Sequence, residues 1–222
     1  MNRTNNPNIL GGRDLTVSSE EMELLEKYVA TFEIFDDLFS MNVSKELQTG
    51  EEYATMMHWS PKKVATEPSE LAELYRSLQF CGFNSTCFPP LYEKLILSFR
   101  WAEVELDCYR LIANETGKDL LPLFLTLRND IGLYDTLLPN GYFQFAKGPG
   151  GDYDPVCFDF RNRRKNGDCR IVRIDHEAIL RFGRIEEIAE LAPNFRTLML
   201  NMISAAPAFK RYRNSKNEES EE

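Results

Sequence analysis

Hydrophobic residues recur at helical spacing near the start of the chain. Ser18 precedes this pattern and Glu21 follows three residues later, a combination that forms a capping box at a helix N-terminus. The apolar positions then make one helix face: Met22, Leu25, Val29, Phe32, Phe35 and Phe39. Residues 1–17 precede the helix as a loose arm. Residues 41–68 are weakly patterned and predict an irregular connection.

Further helices and a strand are predicted in the middle of the chain. The leucine spacing over residues 69–78 favours a helix, and Pro90 suits the first turn of another because its φ is already fixed. Residues 101–113 alternate apolar and polar side chains, which predicts a strand. Residues 120–138 are apolar but interrupted by a proline and a glycine, so they predict two short helices, the second capped by Asp130.

Period-two alternation dominates after the turn sequence Pro139-Asn140-Gly141. Asn166-Gly167 favours a hairpin turn within this region. Residues 142–176 therefore predict an antiparallel meander, and the apolar spacing over about residues 193–203 predicts a helix after it. Helices that precede and follow an antiparallel sheet indicate the α+β class.

Composition and cysteine usage favour a globular protein of the cytosol. The chain has 222 residues, of which 43% are hydrophobic and 27% charged, enough to sustain a core without disulfides. No apolar run approaches the ~18 residues that span a bilayer, and the N-terminus lacks a signal-peptide stretch. The five cysteines are odd in number and form no C-x-x-C pair, so reduced, largely buried thiols are expected. We therefore expect a cytoplasmic protein that does not bind membranes.

The net charge of −9 bears on which class of macromolecule this protein could bind. An acidic protein repels the phosphate backbone, which argues against nucleic acid. It attracts basic proteins and raises their association rates, so a basic protein partner is favoured. Solubility is the alternative explanation, because many soluble proteins are acidic for that reason alone.

Sequence motifs of common catalytic sites are missing. The chain has no G-x-S-x-G, P-loop, H-E-x-x-H or dinucleotide fingerprint. The glycine-rich segment 148–151 lacks the lysine and the following helix of a phosphate cradle. The chain has only two histidines, His58 and His176, which limits histidine-based catalysis and metal binding. We therefore expect no enzyme activity and no cofactor.

One acidic constellation could still carry chemistry. Asp152, Asp154 and Asp159 lie within eight residues, and Asp175 and Glu177 follow at the end of the next predicted strand. Hairpin pairing would bring these carboxylates together. Clustered carboxylates beside a histidine bind hard divalent cations or shift one another's pKa values.

Structural roles explain the same residues without a ligand. His176 continues the apolar face of its predicted strand, which favours a hydrogen-bonded core histidine. Asp175 is placed to cap a following helix, and Asp159 is suited to pair with Arg170 across the hairpin. The remaining aspartates suit tight turns.

Two further sets of residues allow a structural and a functional interpretation. A basic run forms the predicted hairpin tip: Arg161, Arg163, Arg164 and Lys165. It is either a solvated turn or a contact with an acid or a phosphate group. Four aromatic residues are either core residues or interface anchors: Trp101, Tyr142, Phe143 and Tyr153.

Two blocks of sequence resemble the SUKH superfamily, which includes fungal cell-wall-assembly regulators and many bacterial toxin-immunity proteins. They are Gly148–Phe160 (GPGGDYDPVCFDF) and Arg170–Glu177 (RIVRIDHE). Phe88–Ile96 (FPPLYEKLI) is similar to the proline-then-helix segment of that family, and Leu191–Leu198 (LAPNFRTL) to its closing helix. One departure is Phe99-Arg100-Trp101, where the family often has an asparagine-glycine-glycine turn.

The resemblance covers about residues 70–205. It implies an α+β domain with a twisted antiparallel sheet of about four to six strands flanked by helices. Residues 1–69 then form an N-terminal helical extension, and residues 206–222 a disordered charged tail. The resemblance implies no enzyme activity, and bacterial members neutralise toxins, many of them nucleases, by direct binding. An acidic inhibitor suits a basic nuclease electrostatically.

Three functions stay open at the level of sequence. An immunity protein against a basic, nuclease-type toxin is favoured by the motif pair, the charge and the missing catalytic motifs. A regulatory scaffold, as in the fungal branch, is motivated by the long N-terminal segment. A metal-dependent enzyme using Asp152, Asp154, Asp175 and Glu177 is the third. The predicted partner contacts are Asp152, Tyr153, Asp154, Trp101, Glu103 and Glu105.

Overall fold

The structure is a computed structural model that describes residues 14–82, 87–115, 120, 123–125 and 131–220, without the side chains of residues 131 and 214–220. Its helices are α1 (Ser19–Val29), α2 (Phe32–Phe35), α3 (Pro68–Phe80), α4 (Pro90–Ser98), α5 (Ile131–Leu137), α6 (His176–Phe182) and α7 (Phe195–Ser220). Its strands are β1 (Phe39–Ser40), β2 (Gln48–Tyr53), β3 (Met56–Trp59), β4 (Lys62–Lys63), β5 (Phe99–Arg100), β6 (Val104–Leu106), β7 (Tyr109–Leu111), β8 (Tyr142–Lys147), β9 (Pro155–Asp159), β10 (Ile171–Ile174) and β11 (Glu187–Ala192). Within these ranges, no helix has both the length and the apolar character to cross a bilayer.

A six-stranded antiparallel sheet organises the fold, in the order β11-β10-β9-β8-β7-β6. Strands that follow one another in the chain are neighbours throughout, so the sheet is a meander. The register places Phe158 of β9 opposite Phe143 of β8 on one side and opposite Ile171 of β10 on the other. Helices flank this sheet, and the predicted α+β class with an antiparallel sheet is confirmed.

Strand β9 is buried on both faces and separates two cores. Phe158 belongs to a large core that includes residues of α1, α3, α4 and α7. The neighbouring Cys157 belongs to a smaller cluster with residues of α5 and α6. Successive strand residues point to opposite faces, so helices cover this part of the sheet on both sides.

Aromatic packing positions the helices of the large core. The Phe158 ring lies 4.2 Å from the Phe145 ring, 5.0 Å from Tyr92 of α4 and 5.7 Å from Phe195 of α7, measured between centroids. All four side chains are buried. Edge-to-face and offset contacts of this kind add to the area-dependent stabilisation of burial, so this cluster fixes α4 and α7 on the sheet.

The N-terminal segment shares the same core. The predicted capping box of Ser18 and Glu21 is present at the start of α1. The hydroxyls of Tyr28 and Tyr109 are 2.6 Å apart in the interior, and the Tyr28 ring lies 6.2 Å from Phe195. Residues 14–69 therefore pack directly on the segment predicted as the α+β domain.

Residues 41–68 are more regular than their sequence pattern indicates. They contain β2, β3 and β4; β1, β3 and β2 form a three-stranded sheet, and β4 pairs with β5. The turn between β2 and β3 has Ala54 at φ +55°, where glycine or asparagine is usual. The sequence therefore lacks the turn signal by which this hairpin could have been predicted.

Two elements of the main sheet also differ from the sequence prediction. The strand predicted over residues 101–113 is a hairpin, in which β6 and β7 are joined by Asp107-Cys108. Strand β11 was missed, because apolar and polar residues do not alternate along its sequence, EIAELA. The predicted cap residue Asp130 lies outside the described residues.

Helix α7 corrects the prediction of a disordered tail over residues 206–222. The helix continues to Ser220 and passes through Pro207, so the prediction is wrong for residues 206–220. Proline inside a helix removes one hydrogen bond and usually ends it. Here the buried Ala206 and the contact between Phe209 and Phe35, with ring centroids 4.9 Å apart, hold the helix on the core beyond the proline.

A buried carboxylate ties the end of β9 to its neighbours. Asp159 is fully buried and accepts hydrogen bonds from Arg161 Nε at 2.9 Å and Arg170 Nε at 2.8 Å. Burial acts to raise the pKa of Asp159, but the hydrogen bonds from both arginines outweigh it, and the pKa lies below its ordinary value. The predicted pairing of Asp159 with Arg170 is confirmed.

Substitution Asp159→Ala should lower the free energy of unfolding by about 2 to 3 kcal/mol, because two arginines lose a buried acceptor. Since the folded pKa is depressed, this stabilisation is present above the unfolded pKa of an aspartate and is lost as pH falls through the folded pKa. Urea denaturation at neutral and acidic pH measures both effects. The exposed pair of Glu23 and Lys27 provides the control, and Glu23→Ala should lower the free energy of unfolding much less than Asp159→Ala does. Equal costs for the two variants would contradict the role of Asp159.

Candidate functional site

Two adjoining cavities form an acidic groove. One has a volume of about 820 Å³ and is lined by Glu33, Asp36, Asp37, Leu38, Phe39, Tyr53, Met56, His58 and Arg213. The other, of about 400 Å³, is lined by Phe35, Asp36, Asp37, Glu105, Phe209, Tyr212 and Arg213. They share Asp36, Asp37 and Arg213, and we call their combined lining the acidic groove. It lies where α2, the β2–β3 hairpin, the sheet edge β6 and α7 meet.

The carboxylate of Asp36 builds the floor of the acidic groove. One oxygen accepts a hydrogen bond from the backbone N–H of Leu38 at 2.9 Å, and the other accepts from the N–H of Glu105 at 2.7 Å. The first bond holds Leu38 at φ +55°, a conformation that residues with a side chain rarely adopt. The second satisfies a donor of edge strand β6, so Asp36 joins the N-terminal segment to the sheet.

Aromatic side chains form the walls of the acidic groove. Phe39 lies edge-on to both neighbours, with ring centroids 6.3 Å from Tyr53 and 5.0 Å from His58. Tyr53 is 68% exposed and Tyr212 is 56% exposed, so both present a ring to solvent. His58 is oriented by Thr49, whose hydroxyl lies 2.9 Å from Nδ1.

The charge of the acidic groove is strongly negative. Among the described residues, four carboxylates line it, from Glu33, Asp36, Asp37 and Glu105, against one guanidinium, that of Arg213, which pairs with Asp37. Carboxylates attract a cation by charge, and aromatic faces attract it through the ring quadrupole. The lining is therefore suited to the ammonium or guanidinium group of a lysine or arginine.

The loop of the sequence-predicted site adjoins the acidic groove through Glu105. The backbone N–H of Gly150 donates to Glu105 Oε1 at 2.6 Å. At Gly148 a Cβ would lie 2.6 Å from Cγ of Asp152, so only glycine allows the loop to close on itself. Of the six predicted partner contacts, Glu105 is the one that lines the acidic groove. Tyr153, which follows Gly150 in the same loop, is 62% exposed.

The remaining predicted contacts have structural partners. Trp101 is completely buried, and its Nε1 donates to the carbonyl of Ile112 at 2.9 Å, so its prediction as a surface contact is wrong. The aromatic pattern of Trp101 is instead that of a core residue. Glu103 lies 3.4 Å from Arg110 and 3.6 Å from Lys147, which ties it to the neighbouring strands.

Asp152, Asp154 and His176 do come together. One ligand atom of each lies within 4.8 Å of the others, an arrangement that could accommodate a metal ion. Arg173 lies beside both carboxylates, with its Nε 3.8 Å from Asp154 and its Nη1 3.9 Å from Asp152. A guanidinium at this distance neutralises part of the negative charge that would attract a divalent cation, so it opposes metal binding at this site.

The other two acids of the enzyme hypothesis, Asp175 and Glu177, interact with groups of helix α6. Asp175 caps α6 by accepting a hydrogen bond from the N–H of Ala178 at 3.1 Å, as the sequence predicts. Glu177 pairs with Arg181 one turn later in α6. Asp175 and Glu177 therefore have partners within α6, whereas Asp154 contacts His176 at the start of that helix.

His176 is not the core histidine that strand alternation predicts. The strand ends at Ile174, and His176 opens α6 with about a quarter of its side chain exposed. Its Nδ1 lies 2.8 Å from Asp154, and this hydrogen bond raises the pKa of His176 above its ordinary value despite partial burial.

The acids of the N-terminal segment were missed by sequence reasoning. Glu33, Asp36 and Asp37 interrupt and follow an apolar helix face that ends in Phe35. The adjacent acids at the end of this helix were the sequence feature from which an acidic site could have been predicted. Their partner Glu105 is 69 residues away from Asp36, and only the fold shows that they meet.

Comparisons with protein-family models, curated proteins and solved structures gave no significant match for this chain. The resemblance to the SUKH superfamily stays a prediction from the motifs of the sequence.

Substitution Asp154→Asn should return the pKa of His176 toward its ordinary value, because the hydrogen bond and the negative charge that raise it are removed. In the native protein the contribution of this pair is fully present below the unfolded pKa of histidine, and it is lost as pH rises through the folded pKa. A ¹H–¹⁵N NMR titration of the His176 ring measures this shift, with His58→Gln to assign the two rings. Glu177→Gln is the control and should have a smaller effect. An unchanged His176 pKa in Asp154→Asn would contradict the assignment.

Proposed function

We propose that this chain is a protein-binding module whose acidic groove receives a basic segment of a partner protein. The observation that carries the proposal is the combination, in one groove, of four carboxylates with exposed aromatic rings. Aromatic anchors in a concave site are typical of the residues that dominate protein interfaces. The net charge of −9 adds long-range attraction for a basic partner.

Within this class, we favour an immunity protein that neutralises a basic, nuclease-type toxin in the cytoplasm by direct binding. The two motif blocks that resemble the SUKH superfamily and the acidity of the chain support this choice. Steering by opposite charge speeds association, which matters when an inhibitor has to capture a toxin before it acts. No catalytic group is required for such a role.

A regulatory scaffold is the second candidate, and the position of the groove favours it. Most groove residues belong to the N-terminal segment, between Glu33 and His58, which lies outside the region of the resemblance. Removing this segment is not an informative test, because Tyr28 and its neighbours belong to the large core. Surface substitutions in the acidic groove test the binding function while leaving that core intact.

The double substitution Glu33→Lys/Asp37→Lys should weaken binding of an arginine-rich peptide by at least about tenfold, because two attractive contacts become repulsive. Both side chains are exposed, so the fold is preserved. Isothermal titration calorimetry with a hepta-arginine peptide at several salt concentrations measures the change. The matched control Glu73→Lys/Asp135→Lys makes the same charge change at exposed sites outside the groove. Equal weakening in both variants would show that net charge alone attracts the peptide, against a groove-specific site.

Protection against a toxin separates the two candidate functions. Co-expression with a basic toxin domain encoded beside this gene should preserve growth for the native chain. The Glu33→Lys/Asp37→Lys variant should lose protection, and the Glu73→Lys/Asp135→Lys control should keep it. Groove-dependent peptide binding without protection against any neighbouring toxin would favour the scaffold.

A further inference from the structure

Another cavity, of about 550 Å³, lies between the start of α4 and a turn at residues 163–167, which we call the basic turn. Its lining is Asp14, Cys87, Phe88, Pro90, Glu93, Arg163, Arg164, Lys165, Asn166 and Gly167. The volume falls in the range of about 300 to 1,000 Å³ that is typical of small-molecule sites. None of these residues lines the acidic groove, so the two sites are separate.

Backbone hydrogen bonds fix the conformation of the basic turn. Arg164 N donates to the carbonyl of Asp168 at 2.8 Å, and Gly167 N donates to the carbonyl of Arg164 at 2.9 Å. Gly167 adopts φ +87°, and a Cβ there would lie 3.0 Å from Nη2 of Arg163 and 3.7 Å from Pro90. The turn therefore packs closely on the first residue of α4, and its position relative to that helix is fixed.

Three cations converge on this cavity. Arg163 is half-buried, and its Nε donates to the carbonyl of Gly167 at 3.0 Å, which orients its guanidinium. Arg164 and Lys165 are exposed, and within the described residues neither forms an ion pair. Helix α4 begins at the cavity with Pro90, and the N-terminus of a helix carries a partial positive charge.

Two acidic residues also line the cavity, Asp14 and Glu93, and they favour a small anion over a long polyanion. Glu93 is 2% exposed, and its carboxylate accepts a hydrogen bond from the Tyr75 hydroxyl in the interior. With Asp14 at the cavity, the formal charges of the described lining residues leave a small positive excess, three cations against two carboxylates. A long polyanion would meet these acids and the net charge of −9, whereas one phosphate group needs only the cations of the turn.

We propose that this cavity binds a small molecule carrying a single phosphate monoester on an apolar or planar group. The arginine forks of the turn match phosphate oxygens, and Phe88 and Pro90 supply an apolar wall. The same phosphate chemistry occurs on lipid headgroups, but the net charge of −9 repels an anionic membrane surface, so the soluble ligand is favoured. This site does not depend on the function proposed for the acidic groove.

Isothermal titration calorimetry with phenyl phosphate tests the site on the full chain. The variant Arg164→Ala/Lys165→Ala should bind at least about tenfold more weakly, because two charge-assisted contacts to the phosphate are lost. Both side chains are exposed, and melting temperatures would verify that the fold is kept. The control Lys45→Ala/Lys62→Ala removes the same charge from exposed positions outside the cavity and should leave binding unchanged. Phenol, inorganic phosphate and vesicles containing phosphatidic acid serve as comparison ligands.

The expected result is binding of phenyl phosphate that exceeds binding of phenol and inorganic phosphate and that requires Arg164 and Lys165. Three results would each overturn the proposal. These are no binding of phenyl phosphate by the native chain, equal weakening in the Lys45→Ala/Lys62→Ala control, and binding to the vesicles without binding to the soluble phosphate ester.

Discussion

The Asp36 carboxylate connects the two parts of the molecule on which the proposed function depends. It accepts hydrogen bonds from Leu38 in its own segment and from Glu105 on the edge strand of the main sheet. The edge strand β6 is thereby closed by a side chain and by α2 instead of being left to pair with another chain. The same contact opens the acidic groove, because it bends the chain at Leu38 and brings the N-terminal acids beside Glu105. One interaction thus satisfies a donor of the sheet edge and helps to form the acidic groove.

Local rules predicted those parts of the molecule that depend on neighbours in sequence. The capping box at Ser18, the cap by Asp175 and the turn at Gly141 each follow from a few adjacent residues. The pairing of Asp159 with Arg170 followed from hairpin geometry. These elements suffice to assign the α+β class.

Features that depend on distant contacts could not be predicted from the sequence. Helix α7 passes Pro207 because Phe209 packs on Phe35, which lies far away in the chain. Trp101 has the aromatic character of an interface anchor, and only the fold shows that it is completely buried. The acidic groove combines residues from both halves of the chain, so its chemistry was visible only as a net charge. Burial and long-range pairing decide these cases, and single-sequence patterns carry little information about either.

Charge is segregated on this protein. Arg161 and Arg170 pair with Asp159, whereas four carboxylates face one cation, Arg213, among the described residues of the acidic groove. The cations at Arg164 and Lys165 stand apart in a different cavity. The two proposed ligands, a basic protein segment and a small phosphate ester, are therefore assigned to separate sites.

The location of partner binding is the most direct test of the proposed function. Backbone ¹H–¹⁵N chemical shifts of the native chain would be followed during titration with a hepta-arginine peptide. The largest changes are predicted at Glu105 and within residues 33–39, 53–58 and 209–213, the segments that contribute the other lining residues of the acidic groove. Changes centred on the loop at residues 152–154, or spread evenly over the acidic surface, would contradict a binding site in the acidic groove.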